Sequence, residues 1–211
     1  PQQRPRLTEE LGAYLALAGD YTRQPDPRLI LTFGPSGCGK TYATDPLLQP
    51  LNAVRIRSDV ERKRLFGLAP DASSRSQLEK CIYTPESTER TYRRLRELAR
   101  TILAAGYTCI VDATFLRLNQ RAPFLALGEE MAVPVRILEF RFDRSLLEQR
   151  VAERARAGRD ASEAPSAVLA KQLDSLEPLS GREKQLSITV DSAVPVSAEK
   201  LAERVLMPPE H

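Results

Sequence analysis

Residues 29–41 read LILTFGPSGCGKT, and this stretch decides the fold of the chain. Its first part, 29–33, is a short apolar run, typical of a central parallel strand that is buried on both faces. Its second part, 34–41, fits the pattern G-x-x-x-x-G-K-[ST], whose backbone N–H groups surround phosphate while the following helix presents its positive end. A buried strand before the pattern and a helix after it are the context that a phosphate-binding loop requires, so we predict one here.

The parts of this loop have distinct expected roles. Lys40 reaches the β- and γ-phosphates, and the Thr41 hydroxyl binds a magnesium ion. Cys38 lies in a loop that acts through its backbone, so we interpret it as a tolerated small residue and not as a nucleophile. The alternative is a glycine turn that binds nothing. The residues predicted to contact the nucleotide are Gly34, Pro35, Ser36, Gly37, Cys38, Gly39, Lys40, Thr41 and Tyr42.

Short apolar runs alternate with longer helical patterns along the chain, which predicts a parallel sheet covered by helices on both faces. The predicted strands are 29–33, 53–57, 107–111, 135–140 and 187–190. The predicted helices are 7–18, 40–48, 60–66, 85–105, 121–131, 146–157, 162–177 and 198–205. We expect an N-terminal helix and linker over 1–27, one α/β domain over 28–211, and a mobile loop over 68–76.

The composition excludes several classes of enzyme. The chain has 211 residues, of which 42% are hydrophobic and 28% charged, and its one histidine is His211. Without an internal histidine, a Ser-His-Asp or Cys-His nucleophile and an H-E-x-x-H zinc site are excluded. The three cysteines lack C-x-x-C spacing and are expected to be reduced thiols, which predicts a cytoplasmic protein.

The net charge and the N-terminal sequence indicate which kinds of partner to expect. A formal net charge of +3 is too small to indicate nucleic acid or a membrane as a partner. No apolar run approaches the ~18 residues that a membrane span needs, and the N-terminus lacks the apolar segment of a signal peptide. Because the chain starts at Pro1 and not at methionine, an upstream domain of the same polypeptide is a candidate partner.

Asp112, at the end of the strand 107–111, is the candidate second magnesium ligand. A remodelling ATPase commonly has glutamate after this aspartate to polarise the attacking water, whereas Ala113 follows here. The N-K-x-D and D-x-x-G strings that a GTPase needs do not occur in the chain. The sequence therefore favours transfer of phosphate to a hydroxyl over hydrolysis.

A hydroxyl acceptor needs a carboxylate to orient it and to take its proton. Asp59 follows the strand 53–57, which we expect beside the loop strand, at the edge where open α/β sheets bind ligands. Arg62 comes one helical turn later. In the alternative interpretation Asp59 is only the N-cap of the helix 60–66, although both roles can coexist.

Residues 150–163 read RVAERARAGRDASE, a helix carrying arginines that runs through Gly158 into a polar loop. Arginines on a hinged segment are suited to closing over a triphosphate and neutralising charge in the transition state. We predict a lid over about 150–165, with Arg154, Arg156 and Arg159 as candidate catalytic residues. The alternative is a solvated helix whose charges pair locally.

With these motifs the chain resembles P-loop kinases of the gluconate kinase, zeta toxin and polynucleotide 5′-kinase type. More closely, it resembles bacterial ATP-binding domains labelled AAA family ATPase, which occur alone or behind an aminoglycoside-phosphotransferase-like domain. The resemblance covers about 28–191 and rests on GPSGCGKT, RSDVER, IYTPE, VDATF and RDASEA. It implies a three-layer P-loop NTPase fold of the nucleoside- and nucleotide-kinase-like kind, with a five-stranded parallel sheet and a helical lid.

The resemblance also implies roles for particular residues. Asp59 matches the acceptor-activating aspartate of polynucleotide kinases, Arg62 their substrate-clamping arginine, and one lid arginine the catalytic one. Nothing matches the substrate-specific loops of gluconate or shikimate kinases, and no adenine-reading motif stands out. The acceptor is therefore unassigned by the motifs.

We expect a kinase that uses ATP and Mg²⁺ to phosphorylate a hydroxyl of a small molecule. The alternatives are a polynucleotide 5′-hydroxyl kinase, an ATP-binding regulatory module, and a slow ATPase coupled to a partner domain. A small molecule is favoured over nucleic acid because the chain has no tryptophan and only 6% aromatic residues to stack bases. Charge pairs are also expected along the helix 85–105, between Glu86 and Arg90, Glu89 and Arg93, and Arg93 and Glu97.

Overall fold

The computed structural model describes residues 8–15, 19, 26–69, 84–145, 147–149, 165–191 and 197–208. The strands are β1 (Leu29–Phe33), β2 (Ala53–Arg57), β3 (Thr108–Asp112), β4 (Val135–Arg141) and β5 (Ser187–Asp191). The helices are α1 (Lys40–Thr44), α2 (Ser58–Leu65), α3 (Pro85–Ala104), α4 (Leu118–Glu130), α5 (Pro165–Asp174), α6 (Gly181–Gln185) and α7 (Ala198–Leu206), and a 3₁₀ turn, Asp45–Leu47, follows α1. Residues 8–15 are also helical.

All five strands are parallel, in the order β2-β3-β1-β4-β5. Because the carboxyl ends of parallel strands meet at one edge, the residues that follow β2, β3 and β1 come together there. The expectation that β2 lies beside β1 is wrong, since β3 lies between them. Strand order depends on long-range pairing, which the local sequence pattern does not carry.

The sheet is buried on both faces, as the apolar strands predict. In β1, Leu31 packs with Leu95 of α3 and Phe124 of α4 on one face. Its neighbour Ile30 points the other way and packs with Leu201 of α7. These two apolar layers confirm the predicted α/β fold with helices on both sides of a five-stranded parallel sheet.

Helix boundaries differ from the predictions where local capping decides them. The predicted helix 40–48 ends as α-helix at Thr44 and continues as the 3₁₀ turn, which has Pro46 in its first turn. Helix α6 was not predicted, although Ser180 and Glu183 form a capping box, a pattern that is legible in sequence. By contrast, the predicted start of α3 is confirmed, since the Thr84 hydroxyl accepts the Ser87 N–H at 3.2 Å.

Several predicted features lie outside the described residues. They include the predicted mobile loop from residue 70 onward, the predicted helix 146–157 except 147–149, and the predicted lid as far as residue 164. Residues 7 and 16–18 of the predicted helix 7–18, and residues 162–164 of the predicted helix 162–177, also lie outside the described part. Among the helices that the structure describes, none is both long and apolar enough to cross a bilayer.

Candidate active site

The phosphate loop, residues 34–39, joins β1 to α1. Gly39 is the N-cap of α1 and has φ +87°, a left-handed conformation that glycine adopts without strain. A Cβ atom at Gly34 would lie 2.8 Å from Cys38 Sγ. The glycines of the sequence pattern are therefore required by the backbone geometry and by close packing.

The Lys40 side chain folds back across this loop. Its side chain is buried, and Nζ donates hydrogen bonds to the carbonyl oxygens of Gly34 (2.9 Å) and Pro35 (2.6 Å). The ammonium group therefore lies at the first two residues of the loop, where it can meet the β- and γ-phosphates of a nucleotide.

Cys38 is fully buried within the loop. Burial raises the pKa of its thiol above the usual value, against the opposing effect of the Lys40 ammonium. The thiolate is the nucleophilic form of cysteine, and a raised pKa keeps it rare at neutral pH. This supports the interpretation of Cys38 as a small packing residue.

Thr41 and Asp112 are brought together, as predicted for a magnesium site. The Thr41 hydroxyl donates to Asp112 Oδ2 at 2.6 Å, and Arg57 Nε lies 3.7 Å from the same oxygen. Hydroxyl and carboxylate oxygens suit Mg²⁺, which usually takes one or two carboxylates and completes its shell with phosphate oxygens and water. In the described part of the chain, no group of three or more His, Cys, Asp or Glu residues is placed so that it could hold a metal ion. The Thr41–Asp112 pair therefore fits the ion.

Asp59 is exposed in the first turn of α2. The helix begins at Ser58 directly after β2, so Arg57 is the N-cap and the N-cap interpretation of Asp59 is wrong. Within the described part of the chain, its carboxylate makes no hydrogen bond or ion pair. The backbone of Asp59 is fixed in the helix, and its carboxylate is available to a ligand.

Arg62 lies one turn further along α2 and is 7% exposed. Its Nη1 donates to the hydroxyls of Ser87 (3.4 Å) and Thr88 (3.3 Å) in the first turn of α3. The guanidinium group is therefore held between α2 and the start of α3.

Tyr42 and the three lid arginines are the remaining predicted site residues. Tyr42, next to Thr41 on α1, is 82% exposed. The predicted lid arginines, Arg154, Arg156 and Arg159, lie outside the described residues.

Residues 113–115, the segment that follows β3, are hydrogen-bonded to β1 and to the phosphate loop. The sequence did not indicate these contacts. The Thr32 hydroxyl donates to the Ala113 carbonyl at 2.6 Å and accepts the Ala113 N–H at 3.1 Å. The N–H of Gly34 donates to the Thr114 carbonyl at 3.1 Å. These bonds fix Asp112, the residue before this segment, relative to the loop.

Tyr92 of α3 holds the next residue of this segment, Phe115. Phe115 has φ +51°, a strained conformation for an aromatic residue, and its N–H donates to the Tyr92 hydroxyl at 3.1 Å. The two rings also meet edge to face, 5.2 Å between centroids. Burial raises the pKa of the Tyr92 phenol, so it remains a neutral hydrogen-bonding group.

A buried ion pair anchors the same segment from the other side. Arg121 of α4 and Glu183 of α6 are each 1% exposed, and Arg121 Nε donates to Glu183 Oε1 at 2.6 Å. Arg121 Nη1 also donates to the Phe115 carbonyl at 2.9 Å. Burial acts to raise the pKa of Glu183, but hydrogen bonds from Arg121 and Ser180 outweigh it and hold the pKa below its usual value.

Five parallel strands in this order, with a phosphate-binding loop after β1, define the fold of P-loop kinases. The chain belongs to the AAA domain family, whose sequence model matches residues 29–179. The matched stretch contains the phosphate loop, Asp59 and Asp112. No curated protein matches the chain by sequence.

Solved structures of kinases share the fold. A sugar kinase from Janibacter sp. HTCC2649 has 22% identity and a TM-score of 0.59, over 86% of this chain and 93% of that one. A gluconokinase from Sinorhizobium meliloti 1021 has 21% identity and a TM-score of 0.56, over 86% and 90%. The Mycobacterium tuberculosis APS kinase, in complex with AMPPNP and APS, has 18% identity and a TM-score of 0.57, over 86% and 96%. At these identities the likeness shows a common fold.

Proposed function

We propose that this protein is a phosphotransferase that uses ATP and Mg²⁺ to phosphorylate a hydroxyl of a small molecule. One observation carries the proposal, which is that three functional elements lie at the carboxyl ends of three neighbouring strands. The phosphate loop follows β1, Asp112 ends β3, and Asp59 comes just after β2. A triphosphate site and an acceptor-orienting carboxylate at one edge are what phosphoryl transfer requires, since catalysis of that reaction is mainly positioning and charge stabilisation.

The loop N–H groups that follow Ser36, together with Lys40, would bind the triphosphate of ATP, because the N–H groups of Gly34 and Ser36 already donate to Thr114 and Gln172. Thr41 and Asp112 would hold the magnesium ion, which when bound neutralises charge on the phosphate oxygens. Arg57, 3.7 Å from Asp112, would help to orient that carboxylate. Tyr42 lies next to this site on α1 and is the candidate to contact the rest of the nucleotide.

Transfer is favoured over hydrolysis by the residue after Asp112. Ala113 carries no group that could activate water, and both its N–H and its carbonyl are bonded to Thr32. A kinase must keep water from the γ-phosphate, so the absence of a base at this position suits it.

Asp59 would accept the proton of the acceptor hydroxyl. The acceptor oxygen forms a bond to the γ-phosphorus, the bond to the β,γ-bridging oxygen breaks, and ADP leaves with those electrons. Arg62 would bind the acceptor next to Asp59. Arg154, Arg156 and Arg159 are proposed to neutralise charge in the transition state.

The charges of α3 support a small molecule over nucleic acid. Arg93 binds Glu89 at 3.0 Å, as predicted, whereas Glu97 pairs with Arg94 at 3.7 Å and not with Arg93. Arg90 lies over the ring of Phe66, 6.0 Å from its centroid, and does not form the predicted ion pair with Glu86. Much of the positive charge on this helix is therefore neutralised or screened locally, and a nucleic-acid groove would need it unpaired.

We also propose a cytoplasmic location. Cys38 and Cys109 are free and buried, and burial raises the pKa of Cys109 to about 12. Free thiols are usual in a reducing compartment.

Lys40→Ala is expected to weaken ATP binding or turnover at least tenfold, about 1.4 kcal/mol. It removes the cation at the β,γ end of the phosphate chain and the hydrogen bonds to Gly34 and Pro35. Calorimetry and steady-state kinetics measure the two quantities, with Lys200→Ala, at an exposed position of α7, as the matched control. Wild-type affinity and turnover in Lys40→Ala would disprove the phosphate-loop assignment.

Asp112→Asn is expected to raise the Mg²⁺ concentration needed for half-maximal activity about tenfold, because an amide is a poorer magnesium ligand than a carboxylate. Thr41→Ala should shift the requirement in the same direction, while Thr41→Ser keeps the hydroxyl and should not. Magnesium titrations of ATP turnover measure this. An unchanged requirement in Asp112→Asn would exclude Asp112 from the metal site.

A screen for acceptors tests the proposed function. Purified protein with ATP and Mg²⁺ is incubated with pooled hydroxyl metabolites or with 5′-hydroxyl oligonucleotides, and mass spectrometry detects products that gain one phosphoryl group. We expect a phosphorylated metabolite. A phosphorylated oligonucleotide would establish the polynucleotide 5′-kinase instead. Tight ATP binding without turnover would indicate a regulatory module, and release of inorganic phosphate alone would indicate an ATPase.

A further inference from the structure

Gln172 of α5 is bound to the phosphate loop by two hydrogen bonds. The Ser36 N–H donates to Gln172 Oε1 at 2.8 Å, and Gln172 Nε2 donates to Ser36 Oγ at 3.0 Å. Both the oxygen and the nitrogen of the Gln172 carboxamide are therefore hydrogen-bonded to the same loop residue, Ser36.

The rest of α5 holds Gln172 in place. Leu169, one turn earlier, is 2% exposed in the apolar layer that contains Ile188 and Val190, and Leu173 packs against the same layer. Just beyond α5, the Glu177 N–H donates to the Leu116 carbonyl at 2.8 Å. Gln172 is therefore presented to the loop by a helix with its own anchors in the core.

The position of Lys40 shows which end of a nucleotide Gln172 would meet. The lysine of this loop reaches the β- and γ-phosphates. Its ammonium lies on the carbonyls of Gly34 and Pro35, and Ser36 is the next residue. Gln172, bonded to Ser36, thus lies at the γ-phosphate end.

We infer that Gln172 is a catalytic residue that contacts the γ-phosphate through its side-chain amide. An amide nitrogen carries two protons, and Ser36 Oγ accepts one. Within the described residues no other group accepts the second proton, so it is available to a phosphate oxygen of a bound nucleotide. A fixed donor at the transferring group stabilises charge that develops there. The inference rests on the proposed function, since it needs ATP as the ligand.

Gln172→Glu separates this role from simple anchoring of the loop. A carboxylate still accepts from the Ser36 N–H and hydroxyl, so the contact with the loop survives, but the donor becomes a negative charge facing the γ-phosphate. We expect the Kd for ATP to rise about tenfold, with the Kd for ADP within about threefold of wild type because ADP lacks that phosphate. Turnover should fall by about tenfold or more.

Two further variants complete the test. Ala170→Glu adds the same charge at an exposed position of α5 and should leave both nucleotide affinities unchanged. Gln172→Leu removes the donor without adding charge and should weaken ATP binding, relative to ADP, by less than Gln172→Glu. Calorimetry measures the affinities, and circular dichroism checks folding.

The outcomes distinguish the inference from the proposed function. A wild-type ratio of ATP to ADP affinity in folded Gln172→Glu and Gln172→Leu would overturn the inference and leave the proposed function standing. Equal losses for ATP and ADP would also overturn it, because only the γ-phosphate distinguishes the two ligands. Wild-type protein that binds neither nucleotide would contradict both.

Discussion

Asp59→Asn is expected to reduce phosphoryl transfer about 100-fold, the usual scale for a lost general base, while ATP affinity changes by no more than a few-fold. Asparagine keeps the size of the side chain but cannot take the acceptor's proton. The carboxylate is exposed in the first turn of α2 and has no hydrogen bond or ion pair within the described residues. Its loss should therefore leave the fold and the phosphate loop intact.

Single-turnover transfer and equilibrium binding of ATP measure the two effects separately. Asp26→Asn, an exposed aspartate ahead of β1, is the matched control. Removing a first-turn carboxylate costs a helix about 0.3–1 kcal/mol, so a small loss of stability is compatible with either role. If Asp59→Asn transferred phosphate at the wild-type rate, Asp59 would not be a general base, and its role would be limited to electrostatic stabilisation of the start of α2.

Arg121→Met is expected to lower the free energy of unfolding by about 3–5 kcal/mol, the usual cost of removing one partner of a buried ion pair. The change leaves the Glu183 carboxylate buried without its cation and removes the donor to the Phe115 carbonyl. Such a loss is a large fraction of the total stability of a typical domain. Urea unfolding followed by circular dichroism measures it, with Arg182→Met on the exposed face of α6 as control.

The pH dependence of stability provides a second test of this pair. The pKa of Glu183 lies below its usual value of about 4.5 in the folded protein, so its contribution is present above that pH and is lost as pH falls through the folded pKa. Wild type should lose this contribution in acid, and the loss should be smaller in Arg121→Met. Equal stability of the two proteins at neutral pH would show that the pair contributes nothing net.

The sequence was most informative where function depends on neighbouring residues. The phosphate loop, with Lys40 and Thr41, could be predicted because its glycines, its strand and its helix are contiguous. Asp112 could be proposed as a magnesium ligand because a strand leads directly to it, and the structure places its carboxylate next to the Thr41 hydroxyl. The relative position of Asp59 could not, because strand order follows from pairing between distant segments, and β3 separates β2 from β1.

The residues that sequence reasoning missed act across long separations. Gln172 binds Ser36, 136 positions away, and Arg121 binds Glu183, 62 positions away. Gln172 and Arg121 lie in ordinary helical patterns, where a polar residue usually indicates a solvated face. Tyr92 lies within the predicted helix 85–105, but the helical pattern does not show that its hydroxyl accepts the N–H of the strained Phe115. Only the packed fold reveals these contacts.

The fate of the γ-phosphate is the sharpest test of the proposed phosphotransferase. Protein, Mg²⁺ and ATP with a radioactive γ-phosphate are incubated with the acceptor that the screen identifies, and the label in that acceptor is compared with the label in inorganic phosphate. We expect the acceptor to take up at least about tenfold more label than inorganic phosphate, a preference of about 1.4 kcal/mol for the hydroxyl over water. Label that appears solely as inorganic phosphate, at the same rate with and without the acceptor, would contradict a phosphotransferase.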